Sequence, residues 1–253
     1  MDKFNADGIV IRVQATGETT RIITVLTAEH GVLRAFAKGA RGAKSKLQSA
    51  TSLFAFCRFS FVRSKESLIV READIKEIFF DLRNSLEALA LAQYFCDAAA
   101  RTIPEDGTGE EFLRLLLNSL HFLCKNSKDK RQLKAIFELR LAVLSGYCPN
   151  IVACAHCAAF ESEIMYFDPL RGTLACNNCA QSEGIALPLS VVSAMRHIVF
   201  APFDRLFSFS LAAPLLQVLE ECAEHYFLAV TQQKFKTLEY YRSVCTLQSV
   251  PYD

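Results

Sequence analysis

GIVIRV (residues 8–13) is the first of five short runs that decide how the chain begins to fold; the others are RIITVLT (21–27), GVLRAFAK (31–38), FAFCRFSFV (54–62) and SLIVREADI (67–75). All five are rich in Val, Ile, Thr and Phe, and their partial alternation predicts β-strands. Turns are indicated at Thr16-Gly17-Glu18 and at Glu29-His30-Gly31. Five short strands within about 80 residues predict a small closed barrel, of which the OB-fold is one common kind. An SH3-like barrel fits the same pattern.

The pattern becomes helical after Asp81. Apolar residues near helical spacing predict helices over Leu82–Arg101, 110–124 and 129–145, the last ending before Gly146 and Pro149. Pro104-Glu105-Asp106-Gly107 marks a turn between the first two helices. From Ser190 the helical pattern returns in two or three pieces, which Pro202 and Pro214 are expected to break.

Two CxxC pairs mark residues 150–185, which otherwise show no regular pattern. Cys154 and Cys157 form the first pair, and Cys176 and Cys179 form the second after a gap of eighteen residues. Each pair can direct two thiolates at one ion, and the gap is typical of a zinc ribbon. Within it, FDPLRGTLAC (167–176) resembles a hairpin. We therefore predict one structural Zn²⁺ per chain; two unrelated cysteine pairs, free or disulfide-bonded, are the alternative.

The predicted metal site does not favour catalysis. Four thiolates close the coordination shell and leave no position for water or substrate. A redox CxxC usually lies near a βαβ pattern, which the sequence lacks. The adjacent acidic pairs Glu110-Glu111 and Glu220-Glu221 point to different faces of their helices. The sequence therefore predicts no catalytic residues.

Together these features predict an α+β fold with two domains. Residues 1–80 form a small β-barrel, of the OB-fold or the SH3-like kind, and residues 81–253 form a mainly helical domain with a zinc-ribbon-like insertion at about 150–185. No apolar run has the character of a membrane span, and the N-terminal residues do not resemble a signal peptide, so we expect a cytoplasmic protein. In a reducing cytosol the scattered cysteines are expected to be small buried hydrophobes: Cys57, Cys96, Cys124, Cys148, Cys222 and Cys245.

Positive charge is concentrated near the N-terminus. The net charge of the chain is +1, yet residues 31–65 contain eight basic residues and no acidic one. One-sided charge over such a length favours a polyanionic partner. The candidate contacts lie on and after the third run: Arg34, Lys38, Arg41, Lys44 and Lys46. Gly39 and Gly42 are expected to loosen this segment so that it can follow a phosphate backbone.

Aromatic residues flank the basic segment. Phe36, Phe54, Phe56, Phe59 and Phe61 lie on the neighbouring runs. Exposed rings at these positions can stack on bases, whereas inward-facing rings build the barrel core. We expect most of them to be core residues.

The order of these features resembles the RecO family. The resemblance is carried by AKGARGAKS (37–45), FELRLAVLSGYCP (137–149) and CAHC…FDPLRGTLACNNC (154–179), and it extends from Gly8 to about Leu189. It implies an OB-fold, a helical domain with a zinc knuckle, and a DNA-binding recombination mediator without enzymatic activity. By the same resemblance Lys38, Arg41 and Lys44 contact DNA, with Arg34 and Lys46 matching more loosely. Cys154, Cys157, Cys176 and Cys179 match the metal ligands.

RecO-like proteins act in the repair of DNA damage by recombination. The resemblance implies binding to single- and double-stranded DNA, annealing of complementary strands, and contact with single-strand-binding protein. It also implies cooperation with RecR in loading RecA onto coated strands, and hence a nucleoid-associated protein. Two alternatives stay open at this point. One is a zinc-stabilised protein-interaction adaptor whose basic loop binds acidic tails, and the other is a zinc-containing nucleic-acid-processing enzyme.

Overall fold

The computed structural model describes residues 3–42, 44–64, 67–104, 108–180 and 184–248. Lys65 of the basic stretch and Glu105, Asp106 and Gly107 of the predicted turn lie outside the described residues. Within the described part of the chain, no helix is both long enough and apolar enough to cross a membrane.

Five strands close into a barrel at the start of the chain: β1 (Lys3–Thr16), β2 (Thr20–Thr27), β3 (Gly31–Ala37), β4 (Ala55–Ser64) and β5 (Ser67–Ile78). Their order around the barrel is β1-β2-β3-β5-β4, with β1 and β4 paired to complete the circle. The β3–β5 pair is parallel, and the other pairs are antiparallel. This order is that of the OB-fold, which confirms the predicted barrel and decides against the SH3-like alternative.

The interior of the barrel is filled by every second residue of the strands. Ile23 and Val25 on β2, Ala35 and Ala37 on β3, and Cys57, Phe59 and Phe61 on β4 are all fully buried in one cluster. The rings of Phe59 and Phe61 stack at 5.5 Å between centroids. The alternation seen in the sequence therefore corresponds to an inner and an outer face. A four-residue helix, α1 (Leu47–Ala50), was not anticipated.

Three longer helices belong to the same compact unit as the barrel and α1: α2 (Leu86–Thr102), α3 (Glu110–Lys125) and α7 (Lys236–Gln248). The predicted helix from Leu82 begins later, because Phe80–Asn84 forms a 3₁₀ turn and Ser85 caps α2 by accepting from the Ala88 N–H at 3.2 Å. α7 packs on α2. The Thr237 hydroxyl donates to Asp97 at 2.9 Å, and the Phe235 ring meets that of Tyr94 at 5.7 Å.

The second compact unit spans Asn126–Lys234. It contains α4 (Lys130–Leu144), α5 (Leu189–Phe200), α6 (Ala213–Thr231) and a four-stranded sheet of order β6-β8-β7-β9. The strands are β6 (Asn150–Cys154), β7 (Ile164–Asp168), β8 (Thr173–Cys176) and β9 (Ile185–Pro188). The predicted hairpin is confirmed as β7–β8, but the segment around it is more regular than the sequence indicated. Pro214 lies in the first turn of α6 instead of breaking a helix, because the first turn of a helix needs no proline N–H.

A buried ion cluster joins α4 to α6. The Lys134 ammonium lies 3.0 Å from Glu138, 2.8 Å from Glu224 and 3.7 Å from Glu220, and its side chain is 1% exposed. Burial alone would lower the pKa of Lys134, but the three carboxylates raise it, so the lysine stays charged. Glu220 and Glu224 of α6 therefore serve packing within this unit.

The barrel shares its compact unit with α2, α3 and α7. This unit comprises the described residues of Met1–Lys125 and Phe235–Asp253. The predicted division into residues 1–80 and 81–253 stays a prediction, since contacts between elements do not show which part folds alone.

Candidate metal centre and nucleic-acid interface

The four cysteines of the two CxxC pairs meet in space. The sulfur atoms of Cys154, Cys157, Cys176 and Cys179 all lie within 4.8 Å of one another, and the Cys157 and Cys176 sulfurs are 3.6 Å apart. Thiolates at about 2.3 Å from a tetrahedral Zn²⁺ are about 3.8 Å apart. The cluster therefore has the dimensions of a four-sulfur metal site. All ten cysteines of the chain are free of disulfide bonds.

Each pair of cysteines is shaped by a strand end followed by a tight turn. Cys154 ends β6 and Cys176 ends β8, and both are buried. The turns close in the same way, with the Ala158 N–H donating to the Cys154 carbonyl at 2.9 Å and the Ala180 N–H donating to the Cys176 carbonyl at 3.0 Å. Because β6 and β8 are parallel neighbours, the two turns lie side by side.

The acidity of the thiols differs across the cluster. Burial raises the pKa of Cys154, but the backbone N–H groups of Cys157, Cys176 and His156 stabilise its thiolate and bring the pKa down to about 6. At Cys179 the neighbouring sulfurs of Cys176 and Cys157 raise the pKa to about 12. The protein alone thus favours one thiolate and opposes further negative charge beside it. A bound divalent cation would supply the missing positive charge, so the donor set fits a metal ion.

Arg196 on α5 holds the first cysteine turn in place. Its guanidinium donates to the carbonyls of Ile151 at 2.8 Å, Val152 at 2.8 Å and Phe160 at 2.7 Å. It also lies over the Phe160 ring, 4.2 Å from the centroid. These contacts join the residues before Cys154 to those after Cys157. Sequence reasoning missed Arg196, because it lies about forty residues from the segment that it supports.

The scattered cysteines agree in part with the expectation of burial. Cys57, Cys96 and Cys222 are buried, and burial raises the pKa of the Cys57 and Cys222 thiols to about 12. Cys124 and Cys245 are half-buried. The prediction is wrong for Cys148, which is exposed where the chain leaves α4.

All five candidate cations of the basic segment are exposed: Arg34, Lys38, Arg41, Lys44 and Lys46. Arg34 lies on β3, and the others follow the strand. Their segment is a succession of turns instead of an open loop. The Gly42 N–H donates to the Gly39 carbonyl at 3.1 Å, and the Ser45 N–H donates to the Gly42 carbonyl at 2.9 Å. Gly39 has a φ of 71°, a conformation that glycine adopts without strain.

Arg41 has a positioning contact that the sequence did not reveal. The Arg41 guanidinium donates to the Gly17 carbonyl at 2.8 Å, and the Arg41 backbone N–H donates to the Thr19 carbonyl at 3.0 Å. The basic segment is therefore fastened to the turn between β1 and β2. Arg41 keeps further donors in its planar fork, since one of five N–H groups is used in this side-chain contact.

Arg12 adds a cation that the analysis of residues 31–65 did not include. It pairs with Thr24 across β1 and β2, and Thr24 pairs with Arg34 across β2 and β3. Because Ile23 next to Thr24 faces the core, all three residues lie on the outer face of the barrel. Arg12 and Arg34 are exposed. The barrel therefore presents two arginines beside the start of the basic segment.

The five phenylalanines near the basic segment divide between interior and surface. Phe54, Phe59 and Phe61 are buried, as expected for most of the set. Phe36 and Phe56 are half-buried on the outer face. Lys76 lies over the Phe56 ring at 5.3 Å and pairs with Asp7.

The architecture defines an OB-fold protein with a cationic outer face and a four-cysteine site of metal-binding dimensions. The family model of recombination protein O matches this chain in two parts, the N-terminal model over residues 1–79 and the C-terminal model over residues 83–239. The chain therefore belongs to the RecO family of DNA repair proteins.

Proteins similar to this chain over most of its length are named DNA repair protein RecO. The one from Acetivibrio thermocellus is 32% identical over 246 residues, which covers 96% of this chain and 98% of the relative. The one from Symbiobacterium thermophilum is 30% identical over 95% of this chain and 97% of the relative. The one from Dehalococcoides mccartyi strain CBDB1 is 32% identical over 86% of each.

Replacing Arg196 with alanine tests its role in holding the first cysteine turn. The substitution leaves three carbonyls without their charged donor, so we expect the free energy of unfolding to fall by about 1.5–3 kcal/mol. Denaturant titration measures the change. Arg171→Ala is the matched control, since Arg171 is 78% exposed and should change stability by less than about 0.5 kcal/mol. Equal unfolding midpoints for the Arg196 variant and the unchanged protein would show that these contacts stabilise nothing.

Proposed function

We propose that the protein is a non-enzymatic recombination mediator that binds DNA through its barrel. In this proposal it binds single- and double-stranded DNA and anneals complementary strands. With RecR it helps to load RecA onto strands coated by single-strand-binding protein, which would place it on the nucleoid in the cytoplasm. Residues 1–80 act as the DNA-binding domain, and residues 81–253 act as the helical domain with a zinc-binding insertion at about 150–185. Membership of a DNA repair family supports this assignment.

The observation that carries the proposal is the one-sided charge of residues 31–65. Residues 31–65 contain no acidic residue, and the five candidate cations after residue 33 are all exposed. Solvated surfaces normally mix charges of both signs, because like charges repel one another. A surface that keeps this imbalance is suited to a polyanion. Phosphate groups would supply the compensating charge, and their contacts would be independent of base sequence.

We further propose that the cysteine cluster holds Zn²⁺. The four-sulfur set and its dimensions suit this ion, which thiolates bind in a tetrahedral shell. The ion would stabilise the two adjoining turns of the small sheet. Cys154, Cys157, Cys176 and Cys179 would be its ligands, and no coordination position would remain for chemistry.

Protein purified without chelator should contain about one zinc atom per chain by elemental analysis. Cys176→Ser should lose the metal and lower the thermal midpoint, because metal binding and local folding are coupled. Cys148→Ser is the control, since Cys148 is exposed and outside the cluster. Metal retention against a chelator should also weaken as pH falls. Cys179, with its pKa near 12, must lose a proton to bind, and acid opposes that loss. Purified protein without zinc would refute the site.

DNA affinity measured at several salt concentrations tests the basic segment. Replacing Lys38, Arg41 and Lys44 with Ala should weaken binding to all sequences alike, and each lost phosphate contact should reduce the slope of log affinity against log salt by about 0.7–0.9. The fold should survive, since all three side chains are exposed. Arg41 also contacts Gly17, so the triple variant could weaken binding by disturbing this turn. The double variant Lys38→Ala/Lys44→Ala keeps Arg41 and therefore measures the effect of lost charge alone.

The matched control removes the same charge elsewhere, through Ala at the exposed residues Lys125, Arg171 and Lys236. Affinity and slope should then stay near those of the unchanged protein. If the basic-segment variant behaves like this control, the DNA contacts lie elsewhere. Two results together would favour the adaptor function instead. An acidic peptide of the same charge as the DNA would displace the DNA, and the protein would not anneal complementary strands.

The proposed absence of catalysis has its own test. The sequence contains no GxxxxGK[ST] phosphate-binding loop, and a four-thiolate shell has no open position. Purified protein should neither hydrolyse ATP nor cleave DNA strands. An activity that is lost on substituting one of the chain's own residues would contradict this proposal, whereas an activity unaffected by such substitutions belongs to a contaminant.

A further inference from the structure

A row of apolar side chains crosses the outer face of the barrel beside the basic segment. Ile22 on β2 pairs with Phe36 on β3, and Phe36 pairs with Ile69 on β5. Paired residues of adjacent strands point to the same side of a sheet. The neighbours of Phe36 along β3, Ala35 and Ala37, are fully buried in the core, so Phe36 and its row face outward. All three side chains of the row are half-buried.

The ring of Phe36 differs from those of Phe56, Phe59 and Phe61 in its neighbours. Phe59 and Phe61 stack on one another in the core, and Phe56 carries the Lys76 ammonium. Among the residues that the structure describes, no other ring and no cation lies against Phe36. Ile22 and Ile69 flank it in the row. Phe36 is therefore a partly exposed ring between two apolar side chains on the outer face.

Cations precede and follow this ring in the chain. Arg34 precedes Phe36 by two residues on β3, a distance of about 7 Å along an extended strand. Lys38 is the first residue after β3 and follows Phe36 by two residues. Arg12 lies in the same outer row as Arg34. Within the described part of the chain, neither Arg34 nor Lys38 forms an ion pair. In a nucleotide strand each base lies between two phosphates. An aromatic ring between two cations could therefore stack on a base while the cations bind the adjoining phosphates.

Two acidic residues of β5 lie on another part of the outer face, whereas Glu18 lies in the β1–β2 turn that Arg41 contacts. Glu72 and Asp74 on β5 pair with Ser60 and Arg58 on β4. Phe56 is on that side too, next to Lys76 and Asp7. Charge therefore favours a polyanion at Phe36 and disfavours one at Phe56. This contrast supplies a control within the same barrel.

We infer that Phe36 is a stacking platform for an unpaired base of single-stranded DNA, with Arg12, Arg34 and Lys38 binding the adjoining phosphates. The inference rests on the proposed DNA binding and adds the strand preference of the site. A duplex keeps its bases stacked inside, so it can use the cations but not the ring. Stacking is tolerant of sequence, because every base has a π-face.

The test uses substitutions that leave the charge unchanged. Phe36→Leu keeps an apolar side chain between Ile22 and Ile69 but removes the aromatic face. Affinity for single-stranded DNA should fall about 5-fold or more, which is the lower end of the effect of removing a stacked ring. Affinity for duplex DNA and the salt slope should not change. Phe36→Tyr should bind like the unchanged protein, and Phe56→Leu is the matched control with no expected effect.

A spectroscopic measurement reports the contact directly. The chain contains no tryptophan, so Phe36→Trp introduces a single tryptophan, which can be excited selectively over the tyrosines. Its emission should be quenched by oligo-dT and much less by a duplex of equal charge, while Phe56→Trp should respond to neither.

Three results would overturn the inference. They are unchanged single-strand affinity of Phe36→Leu, an equal loss for single strand and duplex, and unquenched emission of the Phe36→Trp variant at saturating oligo-dT. If only stacking is wrong, the unchanged protein still binds DNA with a steep salt dependence. If the proposed function itself is wrong, the unchanged protein binds neither strand form, and both proposals fall.

Discussion

The barrel depends on β1 pairing with two strands at once. Lys3–Ile9 of this strand lie along β4, and Gly8–Thr16 lie along β2, so the two sets of partners overlap at Gly8 and Ile9. A side chain at Gly8 would have no space, because an added Cβ would lie 2.6 Å from the Val25 side chain and 2.8 Å from the Leu26 carbonyl. Glycine at this position therefore lets one continuous strand close the barrel. Closure leaves no free sheet edge in β1 and fixes the register of every strand that follows.

The register then decides which residues reach solvent. An irregularity between Val10 and Arg12 shifts the alternation of β1, so Val13 packs against the core while Arg12 faces outward. Without that shift, Arg12 would not lie in the same row as Thr24 and Arg34. The candidate interface is thus a product of strand pairing as much as of the basic sequence. In the cysteine site the parallel pairing of β6 and β8 has the same role, because it brings the two turns together.

The sequence predicted the features that are local in the chain. Five strands followed from alternation, and the metal-ligand set followed from the spacing of the two cysteine pairs. Pro169 and Gly172 indicated the hairpin of β7 and β8. The equally short strands β6 and β9 have no such turn between them and no clear period, so the sequence did not predict them. It could not assign Arg196 or Arg12 either, since their partners lie on other elements. Phe36 and Phe56 face outward while their neighbours along the strands face the core, and only the strand pairing shows which residues face which way.

The chain leaves the first compact unit at Lys125 and returns to it at Phe235. The intervening 126–234 segment is therefore an insertion between two parts of one unit, and α7 comes after it. Synthesis on the ribosome produces the barrel, α2 and α3 first. The second unit is synthesised next, and α7 follows it. At about 5–20 residues per second, the delay before α7 is of the order of 5–20 seconds. During this time the face of α2 that later contacts α7, including Tyr94 and Asp97, is uncovered. The nascent protein thus exposes part of an apolar core until synthesis has passed residue 248.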